Sequence, residues 1–192
     1  MKTIIVNPAS HDATLGNSVT ATRWAAILGN LDHEVSITTE LSGEKCDVLI
    51  ALHARRSYPS IERFSRTWPE KPLIVALTGT DLYGDLPGNP EARRSLHLAT
   101  RIVVLQGAAP DLLGDDVRKK TSVIFQSAVS HFRKQNHPED QFQVCVLSHL
   151  REVKDPLRTA YASRVLPTDS RIRVIHAGRA LDPELEKSAR RE

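Results

Sequence analysis

Cysteine is scarce: Cys46 and Cys145 are the two in 192 residues, far apart, with no second Cys or suitably spaced His beside either. A disulfide framework and a zinc finger therefore lack support, and two buried or half-buried thiols in a reducing cytoplasm are the simpler reading. No apolar run approaches the roughly 20 residues that cross a bilayer. The opening Met1-Lys2-Thr3-Ile4-Ile5-Val6-Asn7 breaks into polar residues at once, as a strand does and a signal peptide does not. Aromatic residues make up 5% of the chain, too few to offer a single strand many stacking platforms. Charge of one sign is not in large excess either: 26 Lys and Arg stand against 23 Asp and Glu, a net +3. That surplus does not demand nucleic acid as a partner, and the doublets Arg55-Arg56, Arg93-Arg94, Lys119-Lys120 and Arg190-Arg191 read as solvated helix faces. Neither G-x-G-x-x-G nor a Walker A sequence occurs, so nicotinamide dehydrogenases and P-loop nucleotidases lose their main signature.

What is present, 40% hydrophobic and 26% charged residues, is ordinary for a globular domain and excludes disorder throughout. Short β-branched runs at 3–6, 34–38, 47–52, 73–77, 101–105 and 122–125 read as strands. Most are near-continuous apolar stretches, which implies burial on both faces and hence a parallel sheet. Between the first two, Trp24, Ile27, Leu28 and Leu31 fall at i, i+3, i+4 and i+7, one face of a helix that Gly29-Asn30 begins to end. Ile61, Phe64 and Trp68 mark a second helix. Asn89-Pro90 caps a third, with Leu96 and Ala99 turned inward. The order βαββαβαβ predicts a doubly wound α/β domain over residues 1–127.

Residues 128–141 carry polar and charged side chains with Pro138 and no apolar period, and are expected to be a linker. A second α/β unit over 142–192 then begins: strand 143–147, loop 148–154, a helix from Asp155-Pro156, strand 172–176, and a helix from Asp182-Pro183. Each Asp-Pro pair reads as a cap followed by proline in the first turn. Leu157, Ala160, Tyr161 and Val165 would share one face of the first of these helices. This unit is short of the 100–150 residues or so of a whole domain. A truncated second domain is the preferred expectation, with self-association or a partner chain completing the sheet as the alternative.

In an open parallel sheet ligands sit beyond the carboxyl ends of the strands. Those ends are polar here. After the first strand, Gly16 and Asn17 (the latter expected as a helix cap) open a helix whose free N–H groups suit an anion, although a plain turn explains them as well. After the third come His53, Arg55 and Arg56: a hydrogen-bond partner or proton carrier whose unperturbed pKa lies close to neutrality, and a bidentate phosphate clamp that a solvated helix start explains as well. After the fourth comes Thr78-Gly79-Thr80-Asp81, where Gly79 admits a close ligand and Asp81 could accept from a hydroxyl. The sharpest element is His149-Leu150-Arg151-Glu152-Val153-Lys154-Asp155-Pro156. A helix end supplies about 0.3–1 kcal/mol to an anion, whereas a charge-assisted hydrogen bond supplies about 1.5–3 kcal/mol. Arg151 and Lys154 would therefore dominate the binding of a diphosphate.

A strand, an Arg-x-x-Lys loop and a helix after a Rossmann-like half resemble the GT-B glycosyltransferases of the family 4 type. Four longer blocks are similar to the selenosugar synthases of selenoneine biosynthesis: Gly16-Asn17-Ser18-Val19-Thr20-Ala21-Thr22-Arg23-Trp24-Ala25, Ala51-Leu52-His53-Ala54-Arg55-Arg56-Ser57, Val75-Ala76-Leu77-Thr78-Gly79-Thr80-Asp81-Leu82-Tyr83, and Val144-Cys145-Val146-Leu147-Ser148-His149-Leu150-Arg151-Glu152-Val153-Lys154-Asp155-Pro156. The resemblance spans essentially the whole chain. It implies a GT-B fold and transfer of a sugar from UDP-N-acetylglucosamine or UDP-glucose to selenophosphate, giving a seleno-sugar. It also implies no bound metal or other cofactor, because Arg151 and Lys154 would neutralise the leaving diphosphate. By the same resemblance His53 and Asp81 would be catalytic. Gly16, Asn17, Thr20, Arg55, Arg56, Thr78, Gly79 and Thr80 would hold the phosphate-bearing acceptor. The acidic segment that holds the donor sugar in this family has no counterpart in these residues, so weak or absent turnover by the 192-residue chain is expected. A non-catalytic module that binds a nucleotide or phosphate is the alternative.

Overall fold

The computed structural model describes residues 1–9, 16–128 and 140–192, and the chain divides into two compact units, 1–129 and 130–192. Most of the expected linker, at 129–139, and part of the first loop, at 10–15, lie outside the described residues.

In the first unit the apolar runs form strands β1 (Lys2–Val6), β2 (Glu34–Thr38), β3 (Val48–Leu52), β4 (Leu73–Leu77), β5 (Arg101–Val104) and β6 (Thr121–Val123). They make one sheet in the order β2-β1-β3-β4-β5-β6, every neighbouring pair parallel. The alternation of side chains divides the strands between two cores. Ile4, Val6, Leu49, Ala51, Leu73, Val75, Leu77, Ile102 and Val104 point to the larger one. There they meet Ile61 and Phe64 of helix α2 (Tyr58–Thr67) and Ala92 and Leu96 of α3 (Pro90–Leu98). Ile5, Ile50, Leu52, Ala76 and Val103 point the other way, to helix α1 (Gly16–Gly29). Burial on both faces is why these strands read as unbroken apolar runs. This is a Rossmann-like α/β arrangement.

The second expected helix face holds, with Ile61 and Phe64 buried and Trp68 packed against Phe64 in a tilted arrangement at a ring distance of 5.4 Å. So does the third: the Asn89 side chain accepts the Ala92 N–H at 2.8 Å and Pro90 follows in the first turn. The expected face of α1 does not. Trp24 and Leu28 pack on the smaller core, but Ile27 is exposed and Leu31 lies beyond the helix end in solvent. The buried residues of α1 are Ser18, Thr20 and Ala21. Small side chains on this face let the helix lie close to the strands, which shifts its inward stripe away from the bulky residues. Between β5 and β6 the structure adds a 3₁₀ turn at Ala109–Leu112 and a short helix α4 (Asp115–Arg118), both too short to leave a period in the sequence.

The second unit pairs β7 (Phe142–Leu147) with β8 (Ile172–Ala177) in parallel, with α5 (Arg158–Ser163) and α6 (Pro183–Ala189) following each strand. Val144, Val146, Val174 and His176 are half-buried, while Gln143, Cys145, Leu147, Arg173, Ile175 and Ala177 are exposed on the other face. The Asp182 carboxylate caps α6 as expected, accepting from the N–H groups of Glu184 and Leu185. The Asp155-Pro156 expectation is corrected. Asp155 sits in the left-handed region (φ 44°), its carboxylate pairs with Arg158 at 2.5 Å, and the helix starts only at Arg158. A left-handed residue cannot act as an N-cap, whose backbone is extended. Val165, expected on the inner face of this helix, lies past its end and is exposed.

Candidate functional site

The connection from β1 runs through α1 over one face of the sheet to β2, while that from β3 runs through α2 over the other face to β4. The windings diverge between β1 and β3, and a crevice opens at the carboxyl ends of these two strands in such a sheet. His53 stands there, one residue past β3, with only 2% of its surface exposed. Its φ of 73° is in the left-handed region, which is uncommon for a residue with a side chain.

Hydrogen bonding fixes the ring. The Arg56 backbone N–H donates to Nδ1 of His53 at 3.3 Å, so Nδ1 is unprotonated and the neutral ring carries its proton on Nε2. That N–H faces the Thr80 Oγ1 at 3.2 Å and lies 3.7 Å from Oδ2 of Asp85. The same Oδ2 accepts from Nε of Arg55 at 3.0 Å. Burial pushes the His53 imidazole below its ordinary pKa; Asp81 pulls it upward, Arg56 pushes it further down, Asp85 pulls it up and Arg55 lowers it. From an unperturbed value close to neutrality the pKa is therefore lowered, and the ring is held as the neutral tautomer.

Asp81 is fully buried and its carboxylate is committed to the backbone. Oδ1 accepts the N–H groups of Thr78, Gly79 and Leu82 at 2.9, 2.9 and 3.0 Å, and Oδ2 accepts that of Ala54 at 2.9 Å. Asp81 thus ties the loop after β4 to the loop after β3 and acts as a positioning group, in place of the expected acceptor for a ligand hydroxyl. Gly79 has φ 122° with open space where a Cβ would be, so its requirement is conformational and not steric. From Asp81 to Asp85 the chain makes a π turn, closed by the Leu86 N–H on the Asp81 carbonyl at 2.8 Å. The extra residue in that turn carries Asp85 back to His53 and Arg55. Sequence reasoning missed Asp85, because only the turn brings it there.

Gly16, Asn17 and Thr20 form a separate group on α1. Asn17 lies inside the first turn and is not its cap, since the helix already includes Gly16. Thr20 Oγ1 donates to the Gly16 carbonyl at 3.0 Å and accepts from Nε2 of Gln126 at 2.9 Å. Asn7, at the end of β1, donates to Oγ of Ser18 at 3.1 Å, and Arg23 donates to Oγ of Ser127 at 2.9 Å. The bonds of Gln126 and Ser127 fasten the segment after β6 to α1, and that of Asn7 fastens the end of β1 to it. Arg56 is exposed, and its backbone N–H, not its side chain, engages His53.

In the second unit a 3₁₀ turn, Glu152–Lys154, lies beyond β7, with Arg151 just before it and Lys154 as its last residue. Both are exposed, and neither side chain has a hydrogen-bond or ion-pair partner among the described residues. Arg151 lines a groove of about 250 Å³ with Val153, Leu181 and Asp182. The loop is pinned to the chain after β8. His176 Nε2–H donates to the Ser148 carbonyl at 2.7 Å, the Arg179 N–H to Nδ1 of His149 at 3.1 Å, and the Leu150 N–H to the Arg179 carbonyl at 3.0 Å. A larger groove of about 640 Å³ lies in the first unit against Leu82, Tyr83, Leu86, Leu96, Leu112 and Val117, and contains none of the expected site residues. Among the described residues no three His, Cys, Asp or Glu side chains gather as a metal site would require, and no helix is long and apolar enough to cross a membrane.

The chain matches no protein-family model and no curated protein.

The state of His53 predicts a pH dependence of stability. An unfolded His titrates near 6.5, and His53 titrates lower in the fold. As pH falls below that value the unfolded chain binds a proton that the native state does not, so His53 contributes stability above pH 6.5 that is lost as pH falls through its folded pKa. His53→Gln is expected to flatten this part of the acid limb. Denaturant melts between pH 5 and 8, followed by the fluorescence of Trp24 and Trp68, check it; parallel pH profiles for both proteins would exclude it.

Proposed function

We propose that the chain is a glycosyltransferase of GT-B type similar to the selenosugar synthases. In this reading the first unit holds selenophosphate and the second holds the diphosphate of a UDP-sugar. The selenium bonds to the anomeric carbon as the carbon–oxygen bond to UDP breaks, and water then cleaves the phosphorus–selenium bond to give phosphate and a seleno-sugar. The electron pair of the broken bond goes to the diphosphate, where Arg151 and Lys154 would neutralise the added charge without a metal. In the first unit Arg55, Arg56 and Thr80 would receive the phosphoryl oxygens, and His53 would present its Nε2–H to them. Gly16, Asn17 and Thr20 would border this pocket from α1, and Thr78 and Gly79 would shape it through Asp81.

The observation that carries this reading is the Arg151–Lys154 pair. Two exposed cations three residues apart, at the carboxyl end of a parallel strand and without a protein partner among the described residues, leave their hydrogen-bonding capacity to a ligand. Each charge-assisted bond is worth about 1.5–3 kcal/mol, so Lys154→Ala is expected to weaken UDP binding about tenfold or more. Calorimetric titration with UDP checks that result, and an affinity unchanged in both Lys154→Ala and Arg151→Ala would refute the donor site. An assay with UDP-N-acetylglucosamine or UDP-glucose and selenophosphate then separates a transferase, which releases UDP and a seleno-sugar, from a module that only binds the nucleotide.

A further inference from the structure

One carboxylate oxygen stands between the two donors of the His53 site. Oδ2 of Asp85 is 3.0 Å from Nε of Arg55 and 3.7 Å from Nε2 of His53. The side chains grade from buried to open: His53 is 2% exposed, Asp85 21% and Arg55 43%, so the open end of this row is Arg55. The other acid of the turn, Asp81, is sealed in by four backbone N–H groups and has no capacity to spare. Arg56, exposed on the same loop, adds a second positive charge.

We propose that Asp85 is a built-in counterion, its Oδ2 holding the place of an oxygen of a phosphoryl-type dianion between His53 and Arg55, and that such a ligand enters by displacing it. The proposal rests on the reading of this pocket as the acceptor side. A carboxylate brings one negative charge to the two donors, whereas a phosphoryl dianion brings two, with further oxygens for Arg56 and the Thr80 hydroxyl. The exchange therefore favours dianions over monoanions. In the empty site it keeps Arg55 paired instead of leaving two neighbouring arginines uncompensated. The groups that set the charge here are His53, Arg55 and Arg56 from the loop after β3, with Asp81 and Asp85 from the π turn.

The test is a titration of the 192-residue protein with inorganic phosphate at pH 7.5 and constant ionic strength, read by ¹⁵N NMR of the His53 ring and the Arg55 Nε–H. Both signals are expected to move on one saturation curve. Asp85→Asn, which keeps size and shape but removes the competing charge, is expected to tighten phosphate binding by about fivefold. Affinity that is unchanged or weaker in Asp85→Asn would overturn the proposal, since a residue that merely positions Arg55 gives that result. So would His53 and Arg55 signals that ignore phosphate in the unaltered protein, a result that does not depend on the variant folding. Expected phosphate behaviour with a UDP affinity unchanged in both Lys154→Ala and Arg151→Ala would remove the transferase reading alone. Transfer with phosphate affinity indifferent to Asp85 would remove this one alone.

Discussion

Asp81→Ala is expected to lower the stability of the first unit by about 3–5 kcal/mol, because it strips the acceptor from four backbone N–H groups at once. A buried donor left without a partner costs about 1–3 kcal/mol. The sum falls short of four times that figure because Thr78 and Gly79 are only half-buried and water can reach them. Asp81→Asn separates charge from geometry. An Asn oxygen can keep the three bonds of Oδ1, while its amide nitrogen then faces the Ala54 N–H, donor against donor. Its expected cost is about 1–2 kcal/mol. Urea melts followed by tryptophan fluorescence check both, since Trp24 and Trp68 lie in the first unit and are the two tryptophans of the chain. Equal and small effects in the two variants would mean that the loops hold without the carboxylate. Loss of Asp81 should also scatter Thr80 and Asp85 away from His53, because all three depend on the turn that Asp81 begins.

The sheet was legible in the sequence for a physical reason. Val48–Leu52 and Leu73–Leu77 are covered on both faces, so they have no polar alternation to obscure them. Helices α2 and α3 were legible through bulky residues at helical spacing and an Asn-Pro start. The face of the first helix was read only in part: Trp24 and Leu28 do turn inward, but its buried residues are Ser18, Thr20 and Ala21, small side chains that hydropathy ranks low although they let backbones approach. At the site the sequence marks His53, Arg55 and Asp81 by their place after strands, but not what they do. The positive φ of His53 and the commitment of Asp81 to backbone donors of two loops leave no mark in the sequence, and Asp85 arrives on a π turn, which leaves no period to read. Asp155 fails for a related reason: Asp-Pro fits a cap by composition, but the chain goes left-handed there to leave the 3₁₀ turn that carries Lys154.

In the second unit the largest effect is expected at a glycine. The strand β8 leaves the sheet across the exit of β7, and Gly178 is the point of crossing. A Cβ added there would lie 1.9 Å from the Ser148 carbonyl oxygen, 2.5 Å from its carbon and 3.0 Å from the His149 nitrogen. The obstacle is backbone, so no rotamer change relieves it, and Gly178→Ala must separate the two chains. Separation breaks the bonds from His176 to Ser148, from Arg179 to His149 and from Leu150 to Arg179 that fix the Arg151–Lys154 loop. The expected loss exceeds about 3 kcal/mol. In a unit whose β7 and β8 are half-buried at best, that is enough to open the crossing altogether. Hydrogen exchange checks it: the amides of Leu150 and Leu181, both bonded across the crossing, should lose protection in Gly178→Ala. Under the proposed function UDP binding should fall with them, although Arg151 and Lys154 are untouched. Protection retained at both amides would show that the strands can part by the required ångström without cost, and the loop would then owe its shape to its own turn.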